Sequence, residues 1–201
     1  MTWESVLAFN LVLAAAIASP GAALLYFIKT TVASGRAAGV LTGIGLGLAA
    51  ALWTLAALLG LEVVFTLFPW TYTALKLAGA AYLLYLAWQT WKHARAPLGE
   101  APARPGASVL SGFLVNAGNP KSMLFAAAVI VVVFPEGLAA RDIAFITLNH
   151  LVVELAFYAL FALALGSAPA RRGYLSLKPV FDRIAATLLG ALGLRLILDR
   201  S

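Results

Sequence analysis

Apolar residues run for twenty or more positions at a stretch along most of this chain, and the charged residues gather between the runs. Between Glu4 and Lys29 lie 24 uncharged residues, and between Arg36 and Glu62 lie 25. About 20 apolar residues cross the hydrocarbon core of a bilayer, so each run predicts a transmembrane helix, the second extending toward Phe68. A third span is expected from about Trp70 to Trp91, with Lys76 near its start, and a fourth from about 108 to 134, with Lys121 as its only charge. A fifth covers about 143–166 and carries Glu154, and a sixth covers about 181–198. "KHARAPLGEAPARPGAS" (92–108) is basic and rich in Pro and Gly, which reads as a linker; "PEGLAARD" reads as a short connection and "SAPARRGYLSLKP" as a second basic loop. The first run contains "AAAIAS", which resembles a signal-peptide cleavage site. No Lys or Arg precedes it, as a signal peptide would require, so it is expected to be a retained span.

Composition narrows this to one class. The chain of 201 residues is 63% hydrophobic and 11% charged, with mean hydropathy +0.95, where soluble domains carry about 25% charged residues. The expected fold is an all-α membrane protein of six transmembrane helices in a single domain, 1–201. It divides into a first half, 1–92, a cytoplasmic linker, 93–107, and a second half, 108–201. There is no cysteine, which excludes disulfides and thiolate metal sites from the chain's own residues. No G-x-x-x-x-G-K phosphate cradle occurs, and no nucleophile–base pair suggests an enzyme; no cofactor is expected.

The charges orient the spans. Loops after spans one, three and five hold nine basic residues: Lys29, Arg36, Lys92, Arg95, Arg104, Arg171, Arg172, Lys178 and Arg183. The other side holds Arg141, Arg195 and Arg200. Cytoplasmic loops collect Lys and Arg, so both termini are expected outside. The +6 balance is thus a topology signal, and nucleic acid is not an expected partner.

The two halves echo each other. Span one reads "AIASPGAALLYF" and span four "VNAGNPKSMLFA", with Pro20 and Pro120 100 residues apart. "LAGAAYLLYLA" in span three matches "LLGALGLRLIL" in span six. With three spans per half, the second copy enters from the opposite side, which makes a 3+3 inverted repeat of the kind many secondary transporters use. A proline inside a helix costs about 3 kcal/mol, and irregular backbone at membrane depth survives only when buried in protein or lining a cavity. Two such prolines in corresponding positions predict that helices one and four are broken, either as a paired substrate site at Pro20-Gly21 and Asn119-Pro120 or as kinks used for packing.

Around the second break, Asn116 and Asn119 share a helix face, suited to binding a zwitterion or to capping the broken ends. Lys121 has three available roles: holding an anionic substrate group, pairing with Glu154, or snorkelling. Glu154 is the carboxylate well inside a span, and His150 lies four residues before it on the same face. Buried ionisable residues mark proton relays by default, so both are proton-coupling candidates, the alternative being a structural Lys121–Glu154 pair. Two ligands fall short of a closed metal site. Gly39, Gly43 and Gly47 in "GVLTGIGLG" predict close helix packing, inside the bundle or at a dimer contact.

These blocks together, "SPGAALLYFIKTTVASGRAAGVLTGIGLGLAAALW", "LKLAGAAYLLYLAWQTWK", "GFLVNAGNPKSMLFAAA" and "FDRIAATLLGALGLRLIL", resemble the LysE/RhtB family of bacterial amino-acid exporters over essentially the whole chain. The resemblance implies a multi-pass inner-membrane protein that exports amino acids or similar small metabolites as a proton-driven antiporter, with a homodimer as partner state. An exporter of metal or other inorganic ions is the alternative. Two departures stand out. The family's first span usually reads Pro-Gly-Pro, often followed by Asn, where this chain has Pro20-Gly21-Ala22-Ala23; and many members carry an Asp after a Gly in span two, where Leu48 follows Gly47. Both remove polar groups and point to a smaller or more apolar substrate.

Overall fold

The computed structural model describes residues 1–19, 21–68, 70–96, 109–135, 137–165 and 168–198. All regular structure among them is helical: α1 (Trp3–Ala18), α2 (Ala22–Leu67), α3 (Trp70–Lys92), α4 (Val109–Ala117), α5 (Pro120–Val133), α6 (Ala140–Leu165) and α7 (Ala168–Leu198). Most of the expected linker, with Arg104, lies outside the described residues, as does Pro20; nothing is described of the Lys76 and Arg171 side chains.

Local chemistry sets the ends. Thr2 caps α1 by accepting from the Ser5 N–H at 3.2 Å, and Glu4 in the first turn complements the helix dipole. Ser19, which precedes Pro20, is extended (φ −77°, ψ 123°), as the clash with a following proline ring demands. The fourth span breaks the same way. Asn119, before Pro120, is extended (φ −91°, ψ 106°) and its side chain accepts from the Lys121 N–H, while Pro120 opens α5 at a position that needs no donor. α4 and α5 are consequently bent by 66°.

Two connections differ from the sequence expectation. The polar stretch 29–36 is not a loop: α2 runs through it and turns at Gly35, whose φ of 88° and ψ of 175° only glycine adopts without strain. The expected basic loop 167–179 is helical from Ala168 onward, and the helix continues through Pro179 to Leu198. An i,i+4 ion pair from Lys178 to Asp182 (2.8 Å) straddles that proline and supports the turn where an N–H is missing.

Packing follows small residues. α2 is wedged between α4 and α6. A Cβ at Gly43 would lie 2.5 Å from Tyr158 Cβ and one at Gly47 3.1 Å from Glu154 Cβ, both on α6. Gly45 lies against the α4 backbone at Val109 and Phe113, and Gly112 returns the contact onto the Thr42 carbonyl. The glycines serve packing within the bundle, the first of the two uses their spacing allowed. α3 packs on α7 and α5.

The outside of the bundle is apolar. α6 buries Ile146, His150, Glu154, Tyr158 and Ala162 and turns Leu148, Val152, Leu160 and Leu163 outward. A face with polar residues inside and Leu and Val outside suits hydrocarbon as solvent. α2 (over Ala22–Gly60) and α6 are long and apolar enough to cross a membrane, and the bent α4–α5 pair makes a third span if taken as one. Exposed Trp70 and Trp91 end α3, 21 residues or about 31 Å apart, matching the spacing of the two aromatic belts. Lys92 lies 4.9 Å over the Trp88 ring and Arg183 5.7 Å from that of Trp91.

Candidate functional site

The two breaks meet. The Lys121 ammonium donates to the carbonyls of Ala16 (3.3 Å) and Ser19 (3.1 Å) at the C-terminal end of α1. Ala15 O is taken by the Ser19 N–H, but the residue that would serve Ala16 O is Pro20, which has no N–H. The lysine fills that vacancy and places its charge at the negative end of the α1 dipole. Its stem lies over Gly21, where a Cβ would come within 3.3 Å of Lys121 Cδ. Of the alternatives open from the sequence, the Glu154 pair is not formed: the Lys121 ammonium goes to backbone, and no hydrogen bond or ion pair joins it to Glu154 among the described residues.

Both asparagines are buried. Asn119 caps α5 and donates to Asn116 Oδ1 (3.2 Å) and Ser122 Oγ (3.1 Å). Asn116 receives a further bond from Ser122 Oγ (2.5 Å) and donates to Leu46 O on α2 (2.8 Å). Trp53 Nε1 reaches Asn116 O at 3.4 Å. Asn119 is therefore a cap, and Asn116 ties the broken fourth span to the second.

Across from them, Thr54 Oγ1 sits 2.7 Å from His150 Nδ1, and His150 Nε2 lies 3.4 Å from Glu154 Oε1. All three residues are buried. Glu154 Oε2 is buried without a hydrogen-bond partner among the described residues. Asn149, beside His150, faces away and exchanges two amide bonds with Asn10 on α1 (3.3 and 2.7 Å).

A cavity of about 50 Å³ gathers most of these groups. Ser19, Gly21, Asn116, Asn119, Lys121, Ser122, His150, Glu154 and Tyr158 line it, together with an apolar wall that includes Leu13, Leu24 and Phe125. Of the residues singled out by sequence, Gly21, Asn116, Asn119, Lys121, His150 and Glu154 converge there. Pro120 does not: it is exposed at the start of α5. Of the two departures, Ala23 lines the cavity, whereas Leu48 is 37% exposed among the outward apolar residues and leaves the cavity unaltered.

Sequence reasoning missed Ser122 and Tyr158, which line the cavity, and Thr54, which contacts His150. Asp182 was missed as well: it is a second buried carboxylate, 3% exposed, paired with buried Lys178. Lys178 also donates to His93 O (3.3 Å) and Ala94 O (3.1 Å), closing the end of α3. It is a buried staple on α7, not a charge in the expected loop after span five. Among the described residues no three His, Asp or Glu side chains cluster to hold a metal ion.

The family model for the LysE type translocator matches residues 14–200. The chain is 30% identical to the threonine efflux protein of Salmonella typhi over 196 residues, covering 92% of this chain and 93% of that one. It is 28% identical over 192 residues to the threonine efflux protein of Escherichia coli (strain K12), with the same coverage. It is also 29% identical over 190 residues to the uncharacterized membrane protein YahN of that strain, covering 90% of this chain and 83% of that one. No solved structure gives a significant match.

Proposed function

The chain belongs to the LysE type translocator family, and on that premise we propose that it is a secondary exporter of small amino acids or similar metabolites across the bacterial inner membrane. Transport follows alternating access, driven by protons. The observation that carries this reading is the convergence of both breaks, one half-buried cation and one buried, half-paired carboxylate on one cavity inside an apolar bundle. An amino acid presents a carboxylate and an ammonium, the complements of Lys121 and Glu154. The apolar wall and Ala23 suit a small or apolar side chain.

The α1 break and the α4–α5 break are the two halves of a 3+3 inverted repeat with six spans. Pairing of the second span with the fifth (α2 on α6) and the third with the sixth (α3 on α7) supports this. On substrate binding, a carboxylate competes with Ala16 O and Ser19 O for the Lys121 ammonium. Releasing α1 from Lys121 unlocks the hinge between the halves, with Asn116, Asn119 and Gly21 shaping the rest of the contact. Glu154, oriented through His150 and Thr54, is the proton-coupling group.

The test is a thermal-shift screen of the purified protein in detergent against neutral amino acids, basic amino acids and divalent metals. A ligand that binds only the native state raises its apparent stability. L-threonine, L-serine or L-alanine is expected to raise the Tm, and metals are not. Stabilisation by divalent metals alone contradicts the reading.

A further inference from the structure

Glu154 carries two oxygens in two different situations. Oε1 faces His150 Nε2 at 3.4 Å, and His150 is fixed from behind by Thr54 at 2.7 Å. Oε2 is buried, without a partner, on a side chain that lines the cavity. A buried acceptor left bare costs free energy, and a pair meant only to join α6 to α2 would not need it. The bare oxygen is set up to receive a donor that comes and goes. Two donors reach such a place in an amino-acid exporter: a proton, and the substrate's own ammonium.

We propose, building on the function above, that a proton and the α-ammonium of the substrate compete for the same atom, Glu154 Oε2, and that this competition is what makes the exchange obligatory. Before substrate arrives Oε2 bears the proton, as a neutral acid. When the zwitterion docks, the O–H bond breaks, the proton leaves to water on the open side, and the carboxylate accepts an N–H from the incoming ammonium. Charge balances: neutral acid plus ammonium gives an ion pair plus one free proton. In both loaded states the carboxyl is either neutral or paired, whereas the empty carboxylate is buried and uncompensated, which opposes an unloaded crossing. One positive charge then moves inward for each zwitterion moved outward.

The groups that face Glu154 come from four other elements and its own helix. His150 and Tyr158 share its helix, Lys121 comes from α5, and among the described residues α2 offers Ala23, Leu24, Ala50, Thr54 and the bare backbone of Gly47. From α1 the lining is Leu13, Ala16 and Ile17, and from α4 it is the neutral amide of Asn116. Lys121 is held by the α1 carbonyls and remains for the substrate's carboxylate.

Calorimetric binding of L-threonine to the purified protein, in buffers of different ionisation heat and across pH 5.5 to 8.5, tests the claim. The expected result is release of close to one proton per ligand bound at the acid end, with affinity falling as pH falls, toward tenfold per unit. Glu154→Gln is expected to bind at least about tenfold more weakly, with no proton release and no pH slope. D-lactate and L-lactate, which offer the carboxylate without the ammonium, are expected not to displace threonine. Threonine binding without proton release, an unchanged pH slope in Glu154→Gln, or displacement by lactate overturns the shared seat while leaving the exporter reading intact. Failure of the wild type to bind any amino acid overturns the exporter reading and the shared seat with it.

Discussion

Lys121 and Glu154 show how a residue's cost at membrane depth becomes a clue to its partner. Lys121 is tolerated because Pro20 cannot donate to Ala16 O, so a proline in one half and a lysine in the other satisfy each other's deficits. Lys121→Met is expected to lower stability by about 1–3 kcal/mol, since it leaves the Ala16 and Ser19 carbonyls unmet, and to weaken amino-acid binding; thermal melts with and without L-threonine measure both. Glu154→Gln should behave in the opposite way on folding. It replaces a buried, half-paired acid with a neutral amide of the same shape, so its Tm is expected to be equal to or above that of wild type, while gradient-driven export falls at least about tenfold. These two residues and both asparagines were legible in the sequence because a charge or amide inside an apolar run is conspicuous. Ser122, Thr54 and Tyr158 were not, since hydroxyl residues are common in spans. Their significance comes from partners on other helices, such as the 96 positions separating Thr54 from His150.

Helix by helix, the breaks at 19–21 and 118–119 were readable because the steric rules of proline are local. The corner at Gly35 was not, because a polar stretch between two spans looks the same whether it is a loop or a bent helix. The start of α7 was hidden for a related reason: Arg171, Arg172, Lys178 and Pro179 have the composition of a loop, and only the burial of Lys178 and Asp182 reveals the helix. Lys178→Met should strand Asp182 and the His93 and Ala94 carbonyls just past α3, costing about 3–5 kcal/mol, and Lys178→Met with Asp182→Asn should recover part of it; a double-mutant cycle of denaturation in detergent checks this. Close helix contacts make a sharper comparison. Gly45→Ala and Gly112→Ala push a methyl into facing backbone and are each expected to lose about 1–3 kcal/mol. Gly60→Ala, with nothing within 4 Å, should gain about 0.5–1 kcal/mol from helix propensity.

For the molecule as a whole, we propose that both termini lie outside, an orientation supported by the nine-to-three distribution of basic residues along the sequence. The chain's lack of cysteine makes that directly measurable. In intact cells a membrane-impermeant maleimide should label Ala139→Cys, and it should label Arg95→Cys only after permeabilisation; the reverse pattern inverts the topology. An apolar exterior, a Trp-bounded α3 and two breaks sharing one cavity are the features on which the proposed transport of a small solute rests. The most direct test is counterflow. Purified protein in liposomes loaded with L-threonine should accumulate external labelled L-threonine above equilibrium, Lys121→Met should abolish this, and an inward-directed proton gradient should drive efflux from wild type. Liposomes in which wild type and Lys121→Met take up label equally, or in which wild type shows no exchange with any small neutral amino acid, would contradict the account.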